Sequence, residues 1–304
     1  ESKVSLVNMK DAWGNSLTVN DFLKAKVILT DSQLKMRKYY ESMQEYRECF
    51  KKSGLSITIN NCSHVPDKEV KVAYQPFQTI PRENLTDEAI KKLAEKTVKY
   101  INDAKTKPEV ALKLMGIEIE AKENKSDNNE NKMNALYTSI LKYPAMLNDI
   151  YVKKTMKNAV QSIRKEAQGC KLIMDGFWSY ICPDLFAFCE WLFLGEDVPK
   201  GLVAEGYIYN HNYDGTNIEE TCCLRYPHLS DCEHGIRKIL QSEKCKEWFV
   251  GTDTVVSSHD LISKVLQADW DGDHICLVHD KAFLDVLDRN KYPLLYDMTK
   301  AKPA

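Results

Sequence analysis

Three aspartates at alternate positions, Asp269, Asp271 and Asp273, constrain this chain more than any other feature of its sequence. Carboxylates packed within a few ångströms repel one another, and their pKa values rise. A divalent cation removes that repulsion, and Mg²⁺ accepts carboxylate oxygens in octahedral geometry. Gly272 permits a tight loop between them, and the apolar runs on both sides resemble strands. We therefore expect a sharp loop between two strands that gathers three carboxylates around Mg²⁺.

Phosphoryl and nucleotidyl transfer need such a site, because metal ions activate the attacking hydroxyl and stabilise the leaving pyrophosphate. An EF-hand loop starting at Asp269 would need glycine at its sixth position and glutamate at its twelfth, where the sequence has His274 and Asp280. A plain exposed acidic turn is an alternative, which the bulky Trp270 inside the segment makes less favourable. A metal-dependent nuclease or phosphatase with the same three aspartates also stays open.

Composition excludes several classes of protein. The 304 residues suffice for one large domain or two ordinary ones. Hydrophobic residues make up 43% and charged residues 28%, as in soluble globular proteins. The net charge of −2 gives no overall basic signature for nucleic acid, although a basic lining can be local.

No secretory signal or transmembrane span is evident in the sequence. The most apolar run, Leu185 to Leu194, contains Glu190 and is about half as long as the roughly 20 residues that a span needs. We therefore predict a cytoplasmic protein without a membrane partner. The start at Glu1 and the end at Ala304 are interpreted as those of a piece of a longer protein or of a processed or trimmed chain.

The ten cysteines are scattered and form no CxxC pair. Cys222 and Cys223 are adjacent, and Cys232 and His234 follow nearby, but structural zinc usually takes spaced pairs of ligands. A zinc site is therefore the lesser alternative, and free buried thiols in a reducing cytosol are the favoured interpretation.

The first part of the chain predicts short mixed elements and one long helix. Val27-Ile28-Leu29 favours a buried strand, Gln33 to Lys52 a helix, and the alternating Leu55 to Ile59 a second strand. A longer helix is expected from Leu85 to about Lys105, with Thr86 as its N-cap residue.

The second part changes from helical to strand-like texture. Residues 121–134 are polar and Asn-rich, which is typical of a linker or exposed loop. A helix is expected from Tyr143 to Gly169, with a basic surface that either faces nucleic acid or is simply solvated. After Gly169, short apolar pieces separated by Gly, Pro, Asn and Asp predict a β-rich unit such as a small barrel. These pieces are Leu202-Val203, Tyr207-Ile208-Tyr209, Cys222-Cys223-Leu224, Val255-Val256 and Ile275-Cys276-Leu277-Val278.

The segment from Asp269 to Asp273 resembles the DxDGD signature of the two-barrel RNA polymerases. That family includes the multisubunit cellular transcriptases, the RNA-dependent RNA polymerases of RNA silencing, and single-chain relatives carried by bacteria and phages. Upstream, Leu224 to Leu229 with Gly235-Ile236-Arg237 looks like the R-x-P-x-x-H and G-I segment that precedes the signature. The resemblance implies that Arg225 contacts the incoming nucleotide, and a guanidinium suits this role because its planar fork of donors matches phosphate or ribose oxygens.

Two further matches lie in the first third of the chain. Val27 to Met36 is similar to the R-P-S-x-x-K-F segment of the RNA-silencing polymerases, with Thr30 in place of the arginine and Lys35 at the lysine position. Val72 to Ile80 is similar to their L-N-R-Q-x-I segment but lacks its arginine. The resemblance implies that Lys35 helps to position nucleotide phosphates, with a solvated helix lysine as the alternative.

The resemblance implies an α+β fold, a double-psi β-barrel polymerase core with helical connector segments. Residues 1–80 would form part of a first double-psi barrel, residues 81–170 a helical connector with the polar loop 121–134, and residues 171–304 a second double-psi barrel that carries the aspartates.

The implied function is that of an RNA polymerase, a nucleotidyltransferase of the RNA-dependent type. Asp269, Asp271 and Asp273 would be catalytic and would hold Mg²⁺ while nucleoside triphosphates are added to an RNA 3′ end. The partners would be a nucleic-acid template, the nascent RNA, nucleoside triphosphates and the remainder of a longer polymerase chain. A DNA-templated RNA polymerase of phage or mobile-element type is one alternative, and a non-catalytic nucleic-acid-binding fragment of a larger polymerase is another.

Overall fold

The computed structural model describes residues 10–26, 34, 36–55, 69–107, 110, 139–140 and 142–289 of the chain. The described residues belong to two compact units. The barrel unit holds Gly176–His279, Arg289 and the described residues up to 55, and the helical unit holds the described residues of Glu69–Asp175 and Asp280–Asp288.

Most helices of the described residues are short, and two are long. They are α1 (Val19–Lys24), α2 (Met43–Lys52), α3 (Tyr74–Gln78), α4 (Asp87–Thr106), α5 (Ile150–Gln168), α6 (Leu185–Cys189), α7 (Glu243–Trp248), α8 (Ile262–Val265) and α9 (Lys281–Leu284). A π-helical turn, Glu190–Leu194, follows α6 directly. No helix in the described part of the chain combines the length and the apolar character that crossing a membrane requires.

Six strands close into a barrel in the barrel unit. The described strands are β1 (Glu69–Val72), β2 (Leu172–Pro183), β3 (Tyr207–Tyr209), β4 (Glu220–Leu224), β5 (Gly235–Ile239), β6 (Thr254–Val256) and β7 (His274–Val278). The barrel order is β2–β6–β3–β5–β4–β7, and β7 pairs back onto β2. The β2–β6 and β3–β5 pairs are parallel and the other barrel pairs are antiparallel. A mixed α+β fold with a closed six-stranded barrel confirms the predicted fold class and is compatible with a double-psi barrel.

Successive side chains along a strand point to opposite faces, so every second side chain of a barrel strand enters the interior. These inward-facing side chains are mostly apolar. On β2, Phe177 and Ile181 enter the core, whereas Trp178 points outward. The core consists of Phe177, Ile181, Ile208, Tyr213, Cys223, Ile239, Val256, Ile262, Leu266, Ile275 and Leu277.

The predicted strands agree with the barrel only in part. The pieces at 207–209, 222–224, 255–256 and 275–278 lie in strands, whereas Leu202-Val203 does not. The strand predicted before the aspartates is wrong, because Ile262–Val265 forms α8. Asp260 accepts a hydrogen bond from Ile262 N at 2.8 Å, which favours a helical turn there, and a short apolar run fits a buried helix as well as a strand.

In the helical unit, α4 and α5 pack through Ile101, Ala104, Val160 and Ile163. Thr86 caps α4, as predicted, and its side chain accepts a hydrogen bond from Ala89 N.

The helix predicted from Tyr143 starts later, at Ile150, because the Asp149 side chain accepts hydrogen bonds from the backbone N–H groups of Tyr151 and Val152. Ile150 and Tyr151 are exposed in the first turn of α5, whereas Val152 is buried.

The first part of the chain is described incompletely. Of the helix predicted over Gln33 to Lys52, α2 is present, and Ser42 starts it by accepting a hydrogen bond from Glu45 N. The residues Arg37–Tyr39 form a 3₁₀ turn instead. The strand predicted at 27–29, nearly all of that at 55–59 and the loop 121–134 lie outside the described residues. The division of the chain at residues 80 and 170 therefore stays a prediction.

Candidate metal and nucleotide site

The predicted aspartate loop joins α8 to β7. Carboxylate oxygens of Asp269, Asp271 and Asp273 all lie within 4.8 Å of one another. Two backbone hydrogen bonds hold the loop closed. Asp269 N donates to Asp273 Oδ2 at 3.0 Å, and Asp271 N donates to Asp269 Oδ1 at 3.3 Å. Gly272 has a φ of 109°, a conformation that glycine adopts far more easily than other residues.

The electrostatics of the loop favour a cation. The pKa of Asp269 is raised, first because its carboxyl group shares a hydrogen bond with Asp271, and further because of desolvation and the negative charges of Asp271 and Asp273. Asp269 and Asp271 are exposed and Asp273 is half-buried, so an ion could reach all three from solvent. A divalent cation bound at this loop would offset the repulsion between the three carboxylates.

The donor set fits Mg²⁺. Mg²⁺ binds oxygen at about 2.1 Å in octahedral geometry, so two of its ligands are at most about 4.2 Å apart. Oxygens within 4.8 Å of one another therefore need only small side-chain rotations to share one ion. In the described part of the chain, no other group of three His, Cys, Asp or Glu residues offers comparably close ligand atoms.

Arg225 lies beside the aspartates. It follows β4, and its Nε atom is 3.0 Å from Asp273 Oδ2. The β4–β7 register pairs Leu224 with Cys276, which places the end of β4 next to the start of β7. The structure therefore brings together four of the five predicted site residues. Lys35, the fifth, lies outside the described residues.

Next to the start of α8 lies a largely buried ion pair that the sequence does not reveal. Asp260 Oδ2 and Oδ1 accept hydrogen bonds from Arg237 Nε at 2.7 Å and from Arg237 Nη2 at 2.6 Å. Gly206 N and Ile262 N also donate to the same carboxylate. Burial alone would raise the pKa of Asp260, but the hydrogen bonds and charge of Arg237 outweigh it, and the pKa is lowered. The pair fixes the start of α8, and α8 leads into the aspartate loop.

The connection that follows Arg225 contains a second buried polar group. Glu233 is almost fully buried, and its Oε2 accepts a hydrogen bond from Leu229 N at 3.0 Å. Burial raises the pKa of Glu233. Burial, together with the charge of His234, lowers the pKa of His228 to about 3.

The described cysteines near this connection form no disulfide bond. Cys222 and Cys223 are buried in β4, and Cys232 donates to Ser230 Oγ at 3.4 Å. Cys232 and His234 do not belong to a three-residue ligand group among the described residues, so the zinc alternative gains no support.

The comparisons with known proteins give one informative similarity. No protein-family profile matches the chain. The chain is similar to the DNA-directed RNA polymerase YonO of Bacillus phage SPbeta, with 37% identity over 301 residues. The matched region is 97% of this chain and 34% of that protein, so the chain spans about a third of the length of this relative.

Proposed function

We propose that this chain is part of the catalytic core of an RNA polymerase that copies a DNA template. The observation that carries the proposal is the convergence of Asp269, Asp271 and Asp273 in a loop of the barrel unit, with Arg225 in contact with Asp273. The similarity to a protein named as a DNA-directed RNA polymerase supports it independently of that geometry.

The choice of template departs from the RNA-dependent function that the sequence suggests. That expectation depends on two segments with departures, Thr30 in the first and a missing arginine in Val72 to Ile80. The relative's name instead favours the DNA-templated alternative. The RNA-dependent reading of this polymerase therefore has no support beyond those two segments.

In the proposed reaction, the 3′-hydroxyl of the growing RNA attacks the α-phosphate of a nucleoside triphosphate, and pyrophosphate leaves. Asp269, Asp271 and Asp273 would hold Mg²⁺, which when bound lowers the pKa of the attacking hydroxyl and neutralises charge on the phosphates. Asp273 holds Arg225 at the edge of the loop, where its guanidinium can donate to phosphate or ribose oxygens. Lys35 remains a proposed second phosphate contact. A side-chain general base is not required.

The proposed partners are a DNA template, the nascent RNA, nucleoside triphosphates and the remainder of a longer polymerase chain. The two-barrel organisation of the core belongs to the same proposal, as does a cytoplasmic location. Binding of nucleic acid without catalysis is the second candidate function, because the chain spans only 34% of its relative.

The test is nucleotide incorporation by this chain and by a longer parent chain. Each would be incubated with Mg²⁺, labelled nucleoside triphosphates and either single-stranded DNA or single-stranded RNA. Asp271→Ala should abolish incorporation, whereas Asp197→Asn, a change at an exposed aspartate outside the loop, should preserve it. Incorporation on DNA that Asp271→Ala removes would support the proposal, and incorporation on RNA alone would contradict the choice of template.

Two further results would each favour a different function. Strand degradation without nucleotides, removed by Asp271→Ala, would indicate a metal-dependent nuclease. Binding of strands by both chain lengths, without incorporation by either, would indicate the non-catalytic binding function.

A further inference from the structure

An aromatic surface lies on the outside of the barrel. Trp178 and Tyr180 occupy alternate positions of β2 and therefore share one face of the strand. Their neighbour Phe177 belongs to the barrel core, so Trp178 and Tyr180 point away from it. Trp178 is 46% exposed, which is unusual for so large an apolar side chain on a barrel strand.

The partners of these two residues extend the same surface. The β2–β7 register pairs Tyr180 with His274, and their ring centroids are 3.9 Å apart. The Tyr226 ring lies 5.9 Å from Trp178, with the two planes tilted by 40°. Trp178, Tyr180, Tyr226 and His274 form what we call the aromatic face.

The aromatic face begins at the proposed catalytic residues. His274 follows Asp273 directly, and Tyr226 follows Arg225 directly. Arg225 and Asp273 are themselves in contact at 3.0 Å. Trp178 lies two residues along β2 from Tyr180, a step of about 6.6 Å. An extended nucleic-acid strand that passes the aspartates could therefore reach the Trp178 ring with a nearby base.

We propose that Trp178, with Tyr226 beside it, is a stacking site for a base of the nucleic-acid strand held at the aspartate loop. This inference rests on the proposed function. Every nucleobase has a π-face that can stack on an indole, so such a site would be tolerant of sequence. Stacking on one open ring changes the dissociation constant by about 5- to 150-fold. That factor is too small to retain a free nucleotide but is effective for a strand whose phosphates are held by basic groups such as Arg225.

A purely structural role for Trp178 is the competing explanation. Cys276, its partner in β7, and Leu224, the next residue across in β4, are fully buried on the same face. The indole could serve only to shield them from water. Shielding would affect unfolding of the protein, whereas stacking would affect strand binding in a way that depends on the presence of a base.

The test measures strand binding by fluorescence anisotropy. The chain would carry Asp271→Ala to prevent chemistry, and the probe would be a labelled single strand or a DNA template with a paired RNA 3′ end. Trp178→Ala should weaken binding about 5- to 150-fold, and Trp178→Phe should weaken it less because an aromatic ring is retained. Trp248→Ala is the matched control, since Trp248 is 51% exposed in the same unit and lies outside the aromatic face. This variant should bind the strand as tightly as the chain that carries Asp271→Ala alone, which is the reference protein.

Strands with single abasic positions near the 3′ end separate stacking from a general loss of fold. At the position whose base stacks on Trp178, removal of the base should weaken binding of the strand to the reference protein. On that abasic strand, Trp178→Ala should cause little additional loss of affinity. Any of three results would overturn the inference. These are unchanged binding by Trp178→Ala, a loss of affinity from this variant that is equal on every abasic strand, and no strand binding by the reference protein. A loss confined to free nucleoside triphosphates, with strand binding unchanged, would also overturn it.

The inference and the proposed function fail by different results. Incorporation that depends on Asp271 but is insensitive to Trp178→Ala at limiting strand concentration would remove the stacking site and leave the polymerase. Base-dependent strand binding through Trp178 without any incorporation would retain the stacking site and remove the polymerase.

Discussion

Two of the arginine–carboxylate pairs in the described part of the barrel unit are both bidentate but differ in burial, and we predict that their energies differ severalfold. The Arg237 guanidinium donates to Asp260 at 2.7 and 2.6 Å, and the Arg289 guanidinium donates to Glu220 at 2.8 and 2.6 Å. The exposed fractions of the side chains are 19% and 2% in the first pair, and 48% and 32% in the second.

The expected magnitudes follow from what each deletion leaves behind. Asp260→Ala leaves the Arg237 charge buried without its carboxylate partner. It also removes the acceptor of the hydrogen bonds from Gly206 N and Ile262 N. Breaking a buried pair in this way costs about 3–5 kcal/mol of the free energy of unfolding. Glu220→Ala removes an exposed partner from an arginine that water can solvate, and such pairs contribute about 0.2–1 kcal/mol.

The assay is a double-mutant cycle for each pair, with the free energy of unfolding taken from urea titrations. The coupling energy of Arg237 with Asp260 should exceed that of Arg289 with Glu220 severalfold, and only the exposed pair should weaken markedly in about 1 M salt. Because the pKa of Asp260 is lowered in the folded state, its contribution is present above pH 3.8 and is lost as the pH falls below that value. Equal coupling energies, or equal sensitivity to salt, would refute the assignment of the difference to burial.

Three further predictions concern single positions. Burial lowers the pKa of His228 to about 3 in the folded state, well below its ordinary value of 6.5, so the unfolded state takes up the proton first. The free energy of unfolding should therefore fall by up to about 1.4 kcal/mol per pH unit as the pH drops from 6.5 towards 3. In His228→Gln, the melting temperature should depend less on pH between pH 5 and 6.5. In Gly235→Ala, the new Cβ would lie 2.3 Å from Ile262 Cδ1, which should lower the urea midpoint by the equivalent of about 1–3 kcal/mol; an unchanged midpoint would contradict it. Gly272→Ala meets no atom within 4 Å but keeps a φ of 109°, so backbone strain of about 1–3 kcal/mol should weaken Mg²⁺ binding in calorimetry, and unchanged affinity would argue that the loop is relaxed.

Local sequence signals predicted the fold where they were strong. Thr86 and the acidic first turn after it locate α4, and the short apolar pieces locate β3, β4, β6 and β7. β2 was not predicted, because Asp175 and Gly176 interrupt its apolar pattern and the side chains on both of its faces are largely buried. The helical turn α8 was predicted as a strand, because four apolar and polar residues satisfy either periodicity.

The candidate site was predictable only where its residues are close in sequence. The alternate spacing of Asp269, Asp271 and Asp273 is enough to predict a metal site, whereas Arg225 is predicted only through resemblance to a family. Asp260 was missed because nothing in its neighbourhood distinguishes a buried carboxylate from an exposed one. Its partner, Arg237, lies 23 residues away in sequence, and only the closed barrel brings the two together.

The contact between Arg225 and Asp273 shows how the barrel creates the site. Because β4 and β7 are antiparallel, the residue that follows β4 must lie near the residue that precedes β7. The pairing of Leu224 with Cys276 defines that register, since a slip of β4 by one residue would turn Cys223 out of the core. Burial of apolar side chains inside the barrel therefore determines where the guanidinium and the carboxylate meet, although neither belongs to the core.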